Sequence, residues 1–348
     1  MFMSKLGLAL MVSAALFGCS PSSNLLAPKP DAAKPKQEVD RTDSFRTGRL
    51  DPRVDILFVV DDSASMAAHQ TRLASNIQLF TRELANQKLS DVHIGVVTTS
   101  MDNNSRCGAG SFRACGDGRL VNWKSGVSYV TPKTPNFANV LAQNIMVGTS
   151  GSAEEMSFDP VMAAIGPDLA LKENKGFYRQ GAALAVIFVT DAEDQSNIIT
   201  SGQDFYDRLL AEKDGDPERV IGYGVLVPSN NVLNCAKTDD WPPVRTEEFL
   251  KLTNGIEFSL CAPDYGTKLA EVAKDLAQRV GQYIYLSTRP DVSTITVSFG
   301  SQIIPADDES GWIYDPQRNA IRFGPKLIIS KQDPSTRLKV DYLEGAIK

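Results

Sequence analysis

The stretch Val59-Val60-Asp61-Asp62-Ser63-Ala64-Ser65-Met66 offers a carboxylate at Asp61 and hydroxyls at Ser63 and Ser65, each two positions apart. These are hard oxygen donors, the kind that coordinate Mg²⁺, Mn²⁺ or Ca²⁺. Asp and Ser are also ordinary turn and cap residues, so Ser63 or Ser65 could do no more than cap a following helix. A third chemistry is nucleophilic, with Ser63 or Ser65 attacking and an acid nearby. A serine triad then needs a His within hydrogen-bond reach. The chain has two, His69 and His93, neither in a triad-like motif, and no Gly-x-Ser-x-Gly elbow surrounds either serine.

The elements around the donors narrow these readings. Val54 to Val60 is an apolar run that reads as a buried strand, and Leu73, Ile77, Phe80 and Leu84 then recur at helical spacing. The Asp61–Ser65 loop therefore sits at the carboxyl end of a strand, where open α/β sheets place their ligands. Further strands are predicted at Val92–Thr98, Ala183–Val189, Val220–Val227 and Ile256–Leu260, with helices at 204–212, 246–252 and 268–280. This alternation predicts an α/β fold with a doubly wound, mostly parallel sheet flanked by helices. The Gly-, Asn- and Ser-rich stretch near 100–147 is too long for an ordinary connection and reads as an insertion. It either shapes partner choice or forms a surface flap. From Asp291 the period shifts to two, at Thr294–Gly300 and Arg337–Tyr342. Trp312–Asp315 and Ala320–Phe323 flank a turn signal, so a small C-terminal antiparallel β module is expected.

Asp61-x-Ser63-x-Ser65 on a strand–loop–helix resembles the first motif of von Willebrand factor type A (VWA) domains, which opens a metal-ion-dependent adhesion site. Ala183 to Val189 followed by Thr190-Asp191 resembles the third motif. For the second, Gly148-Thr149-Ser150-Gly151-Ser152 is the best match, with Thr149 as the choice and Ser152 as its competitor. The resemblance implies a VWA/Rossmann-like fold. It also implies a divalent cation, Mg²⁺ first with Mn²⁺ or Ca²⁺ as alternatives, held by Asp61, Ser63, Ser65, Thr149 and Asp191. The last coordination position would take a carboxylate from a protein partner. Asp62 and Ala64 stand where the family often has Gly. Asp62, Glu154, Glu155, Glu193 and Asp194 add negative charge, which favours a cation and disfavours an acidic partner. The expectation is a binding module rather than an enzyme. The rivals are a purely stabilising cation, and a metal-assisted or serine hydrolase with Glu154 or Glu193 drafted as base.

At the N-terminus, Leu6 to Phe17 is apolar but too short to span a bilayer. Leu16-Phe17-Gly18-Cys19 resembles a bacterial lipobox, which implies cleavage before Cys19 and a lipid on its thiol. Residues 1–18 are thus read as a signal peptide. Residues 19–50, rich in Pro, Ala, Ser, Lys and Asp, are read as a lipid-anchored flexible tether. Residues 51–288 form the VWA-like domain and 289–348 the β module. Ser20 resembles an outer-membrane sorting residue, so the expected address is the bacterial cell envelope, with the membrane reached through the lipid. An oxidising compartment predicts disulfides, and Cys107–Cys115 with Cys235–Cys261 is the simplest of three connectivities. Zinc is the rival, although neither pair has tight spacing. The net charge is -6, with no basic stripe, which argues against nucleic acid.

Overall fold

The computed structural model describes residues 39–45, 53–87, 89, 91–102, 108, 114–230, 235, 242–280, 283–324, 327–330, 332–333 and 335–345. The signal peptide, Cys19, most of the expected tether and Cys107 lie outside the described residues.

A first strand, β1 (Asp40–Phe45), precedes an α/β unit built on a six-stranded sheet. In that sheet β2 (Val54–Val60), β3 (Val92–Thr98), β5 (Ala183–Thr190), β6 (Val220–Leu226) and β7 (Ile256–Ser259) run parallel. β4 (Tyr129–Val130) pairs antiparallel at the edge, and the strand order is β4-β3-β2-β5-β6-β7. β2, β5 and β6 are buried along their whole lengths, as parallel strands covered on both faces must be. Side chains along β2 alternate between two cores. Ile56, Phe58 and Val60 face α1 (Ala67–Asn86), α2 (Phe137–Ile145) and α7 (Tyr265–Val280). Leu57 and Val59 face α3 (Asp159–Ile165), which the short α4 (Pro167–Ala170) follows, α5 (Gly202–Glu212) and α6 (Val244–Leu252). In the second core Phe158 stacks on Phe205 at 4.3 Å between ring centroids, and Phe188 and Phe249 meet them edge-on. The helices on both faces make the sheet doubly wound, the class expected from the alternation. The 100–147 stretch carries β4 and α2, both of which pack on the first core.

The amino end of β2 is held by charge. Asp55 is fully buried and accepts hydrogen bonds from Arg179 Nε at 2.8 Å and the Arg179 backbone N–H at 2.6 Å. Burial raises its carboxyl above the ordinary range, and the Arg179 guanidinium pulls it back down.

The antiparallel strands form two sheets around one core. One runs β1-β13-β9-β10 and the other β11-β12-β8, where β8 is Tyr283–Tyr285, β9 Thr296–Phe299, β10 Gln302–Ile304, β11 Trp312–Asp315, β12 Ala320–Phe323 and β13 Leu338–Leu343. Val297, Phe299, Trp312, Ile321, Phe323, Leu338 and Val340 fill the space between them. Two expectations need correction. Residues 40–45 fall within the expected tether, yet they form an edge strand paired with β13 from Asp40↔Leu343 to Phe45↔Leu338. Asp-Arg-Thr-Asp-Ser-Phe is polar and mostly exposed, so it carries no strand pattern of its own. Its order comes from the ladder and from cross-strand pairs, with Thr42 bonding Asp341 and Arg41 bonding Glu344. Likewise β8, ahead of the expected boundary at 289, belongs to the β module through β12. The chain thus enters the β module, leaves to build the α/β unit, and returns.

Cys235 and Cys261 form a disulfide with Cα atoms 5.5 Å apart, tying the segment after β6 to the end of β7. Cys115 is also disulfide-bonded. No helix among the described residues is long and apolar enough to cross a membrane.

Candidate functional site

The chain leaves β2 at Asp61, whose backbone N–H donates to the Val189 carbonyl of β5 at 3.0 Å. From β2 the winding runs outward to β3 on one side, and the chain later returns to β5 on the other. The loop after β2 therefore opens at the switch point of the sheet, where side chains from two diverging loops can meet a ligand.

Asp61 is fully buried. Its Oδ1 accepts the Ser63 N–H and its Oδ2 accepts the Thr190 hydroxyl, both at 2.8 Å. Ser63 Oγ and Ser65 Oγ lie 3.0 Å apart. Ser63 stands at the N-cap of the short turn before α1 but makes no side-chain cap hydrogen bond, and no side chain caps α1. The capping reading of the serines is therefore excluded. Asp191, next to Thr190, is buried close enough to Asp61 to repel it. Burial first, and then the Asp191 charge, push the Asp61 carboxyl up to about 6, against the pull of the Ser63 and Thr190 hydrogen bonds. His69, on the first turn of α1, also feels Asp191, which opposes the lowering of its pKa by burial. Among the described residues no Arg or Lys pairs with Asp61, Asp62 or Asp191.

The second loop is brought to the first by Gln70, which sequence reasoning missed. Its buried amide donates from Nε2 to the Asp61 carbonyl at 2.8 Å and to the Gly148 carbonyl at 2.7 Å. Its Oε1 accepts the Gly148 N–H at 3.1 Å. The readable signal was a Gln three residues before Leu73, on the buried stripe of α1, where a polar residue needs partners. Thr149 follows Gly148, is exposed, and makes no hydrogen bond among the described residues. The hydroxyl of Ser152, its competitor, already accepts the Glu154 N–H at 3.0 Å. Of the two, Thr149 is the one with a free hydroxyl.

The acids expected to crowd the site mostly serve elsewhere. Glu193 accepts the Val244 and Arg245 N–H groups and caps α6. Asp194 accepts the Ser157 N–H and the Ser196 hydroxyl, and pairs with Arg245 at 3.3 Å. Glu155 bonds Gln195, and Glu154 is exposed. Asp62 turns inward to the Ser100 hydroxyl at 2.8 Å, and burial raises its carboxyl to about 6. Sequence proximity placed these acids correctly near the loops, but it could not say which way each carboxylate points.

No cluster of three or more His, Cys, Asp or Glu exists among the described residues. The expected ligand set has two carboxylates and otherwise hydroxyls. Two mutually repelling buried acids beside hydroxyls that cap nothing fit a hard divalent cation, which Asp61, Ser63, Ser65, Thr149 and Asp191 could hold.

A pH dependence follows from Asp61. Its folded pKa of about 6 lies above the ordinary 3.8, so the metal-free fold binds this proton more tightly than the unfolded chain does. The stability contributed by the protonated group is full below the unfolded value and is lost as pH rises through about 6. A cation held by Asp61 would have to displace the same proton, so any stabilisation by Mg²⁺ there would fade as pH falls below about 6. Thermal melts with and without Mg²⁺ across this range check it. A shift independent of pH would contradict it.

No family model matches the chain, and no curated protein matches its sequence. Among solved structures it is similar to the pilus adhesin SpaC from Lactobacillus rhamnosus GG, with 13% identity and a TM-score of 0.39 over 84% of this chain and 39% of that one. It is also similar to proximal thread matrix protein 1 from the mussel byssus, with 14% identity and a TM-score of 0.35 over 69% of this chain and 47% of that one. A von Willebrand factor type A structure from Catenulispora acidiphila shares 12% identity, with a TM-score of 0.34 over 88% of this chain and 61% of that one. The chain spans less than two thirds of each of these structures. At scores this low the likeness decides neither family nor site.

Proposed function

We propose that this chain is an envelope-anchored binding module that takes a carboxylate of a protein partner through a divalent cation, Mg²⁺ first. The observation that carries this is the pairing of Asp61 and Asp191, buried at the switch point with no Arg or Lys paired to either among the described residues, beside two serine hydroxyls that cap nothing. A bound cation would supply the positive charge that Asp61 and Asp191 lack among the described residues. Asp61 and Asp191 balance that charge, Ser63, Ser65 and Thr149 contribute neutral oxygens, and Thr190 and the Ser63 N–H hold Asp61 in orientation. Binding rather than catalysis is the favoured reading, because Ser63 and Ser65 bond each other and no described imidazole hydrogen-bonds either one.

Two apolar side chains at this end of the sheet, Ile198 on a loop and Val244 at the start of α6, suit a partner surface. Ile198 is 69% exposed and Val244 56% exposed. Their backbone N–H groups are held by Asp159 and Glu193, so both are presented on fixed backbone. Ile198→Glu is expected to weaken partner capture while leaving Mg²⁺ affinity unchanged, and capture at wild-type strength would remove Ile198 from the surface. Capture from an envelope extract by the full chain, with Mg²⁺ and with EDTA, tests the function itself. Loss in EDTA is expected. Capture indifferent to EDTA, in a chain that binds Mg²⁺, would leave the second reading, a purely stabilising cation.

The anchor is part of the proposal and rests on the Leu16–Cys19 motif. Cys19→Ala is expected to shift the protein from the detergent phase to the aqueous phase. A variant that stays membrane-bound would remove the lipid.

A further inference from the structure

Thr149 and Ser150 form an exposed two-residue tip in a loop without regular structure. A tip left to itself samples many conformations, and fixing it on cation binding would cost conformational entropy. Here both sides of the tip are tied to the first loop by protein groups. On one side Gln70 holds the Gly148 N–H and carbonyl, and the same amide holds the carbonyl of Asp61. Gln70 is 1% exposed, so its rotamer is fixed by packing. On the other side the Gly151 N–H donates to the Asp62 carbonyl at 2.9 Å. The Ser152 N–H donates to Ser100 Oγ at 2.7 Å, and that hydroxyl donates to Asp62 Oδ1 at 2.8 Å. Gly151 passes directly over the Asp62 carboxylate: a Cβ there would lie 2.4 Å from both of its oxygens. Only glycine allows this approach.

We propose that Gln70 and Asp62 are positioning residues that bracket Thr149 and set its hydroxyl relative to Asp61. This rests on the metal reading above. Gln70 reaches the tip from α1, and Asp62 reaches it from the residue directly after the proposed ligand Asp61. Neither needs to touch the cation. Both act by making the second loop follow the first, so that donors on two loops share one geometry. Supporting groups of this kind typically carry about 10- to 100-fold in metal affinity.

The test is a calorimetric Mg²⁺ titration of the full chain as wild type, Gln70→Met, Thr149→Ala, Gly151→Ala, and Thr149→Ala combined with each of the other two. Gln70→Met keeps the volume and removes the three hydrogen bonds. It is expected to weaken Mg²⁺ binding about tenfold or more. If it acts through Thr149, its double variant with Thr149→Ala binds no more weakly than Thr149→Ala alone. A purely structural role for Gln70 would instead leave affinity intact, or make the two losses multiply, and either result overturns the proposal. Metal-free melts establish which variants fold. Should Gln70→Met not fold, Gly151→Ala displaces the tip from its other anchor. It is expected to show the same loss and the same lack of additivity with Thr149→Ala, and wild-type affinity there overturns the proposal. A wild type that binds no Mg²⁺, or binds it as well after Asp61→Ala, removes the metal reading and this proposal together. Wild-type binding that Asp61→Ala abolishes, but that Gln70→Met and Gly151→Ala leave alone, removes only this one.

Discussion

In Asp61→Ala, Mg²⁺ is expected to lose its stabilising effect entirely. A ligand that binds only the folded state adds about 2.7 kcal/mol at a hundred times its Kd, which for a chain of this size raises Tm by about 5 °C. Asp61 is one of the two carboxylates of the proposed set, with one oxygen on the Ser63 N–H and the other on the Thr190 hydroxyl. Alanine removes both the charge and the group that orders the loop. The metal-free fold should survive, because two effects oppose each other. The Thr190 hydroxyl loses its acceptor, while Asp191 is relieved of a like charge. Differential scanning fluorimetry of both proteins with and without Mg²⁺ measures the difference. Equal shifts in the two would place the cation elsewhere.

Arg179→Ala is expected to cost about 3–5 kcal/mol of stability, the usual loss when one partner of a buried ion pair is removed. Asp55 would be left fully buried at the start of β2 without its guanidinium, keeping the backbone N–H of residue 179, with His93 Nδ1 at 3.8 Å and the charge of Lys213 nearby. Asp55→Asn in the same background should recover part of the loss by removing the stranded charge. Mg²⁺ affinity of the folded variant should not change, since Asp55 opens β2 and Asp61 lies just past its other end. Urea denaturation reads the first effect and calorimetry the second. A loss below about 1 kcal/mol would show the pair to be no stronger than a surface bridge.

What could be read from the sequence followed the strength of local pattern. β2 and β5 were plain because every residue in each is buried, and such runs have one reading in a sheet covered on both faces. The stripe Leu73, Ile77, Phe80 and Leu84 marked α1 because only one face of that helix is buried, at helical spacing. α3 was missed because seven residues are too few to show a helical period, and its anchoring comes from Asp194 and Ser196, more than thirty positions away. β1 was missed because an exposed edge strand takes its order from its partner and needs no apolar face of its own. The site divides in the same way. Asp61, Ser63 and Ser65 are neighbours in sequence and become neighbours in space through one tight loop. Asp191 was legible as the acid at a strand end. Gln70, Ser100 and the inward turn of Asp62 were not, because their partners lie on other loops. Glu193 and Asp194 were misread because a carboxylate beside a site can as well cap the next helix.

The most direct test of the central claim is a calorimetric titration of Mg²⁺ into the metal-free full chain at neutral pH, repeated with Asp61→Ala. The expected result is one saturable site in the wild type and none in the variant. Absence of binding in the wild type, or binding of equal strength in both, would contradict a cation held by Asp61, Ser63, Ser65, Thr149 and Asp191.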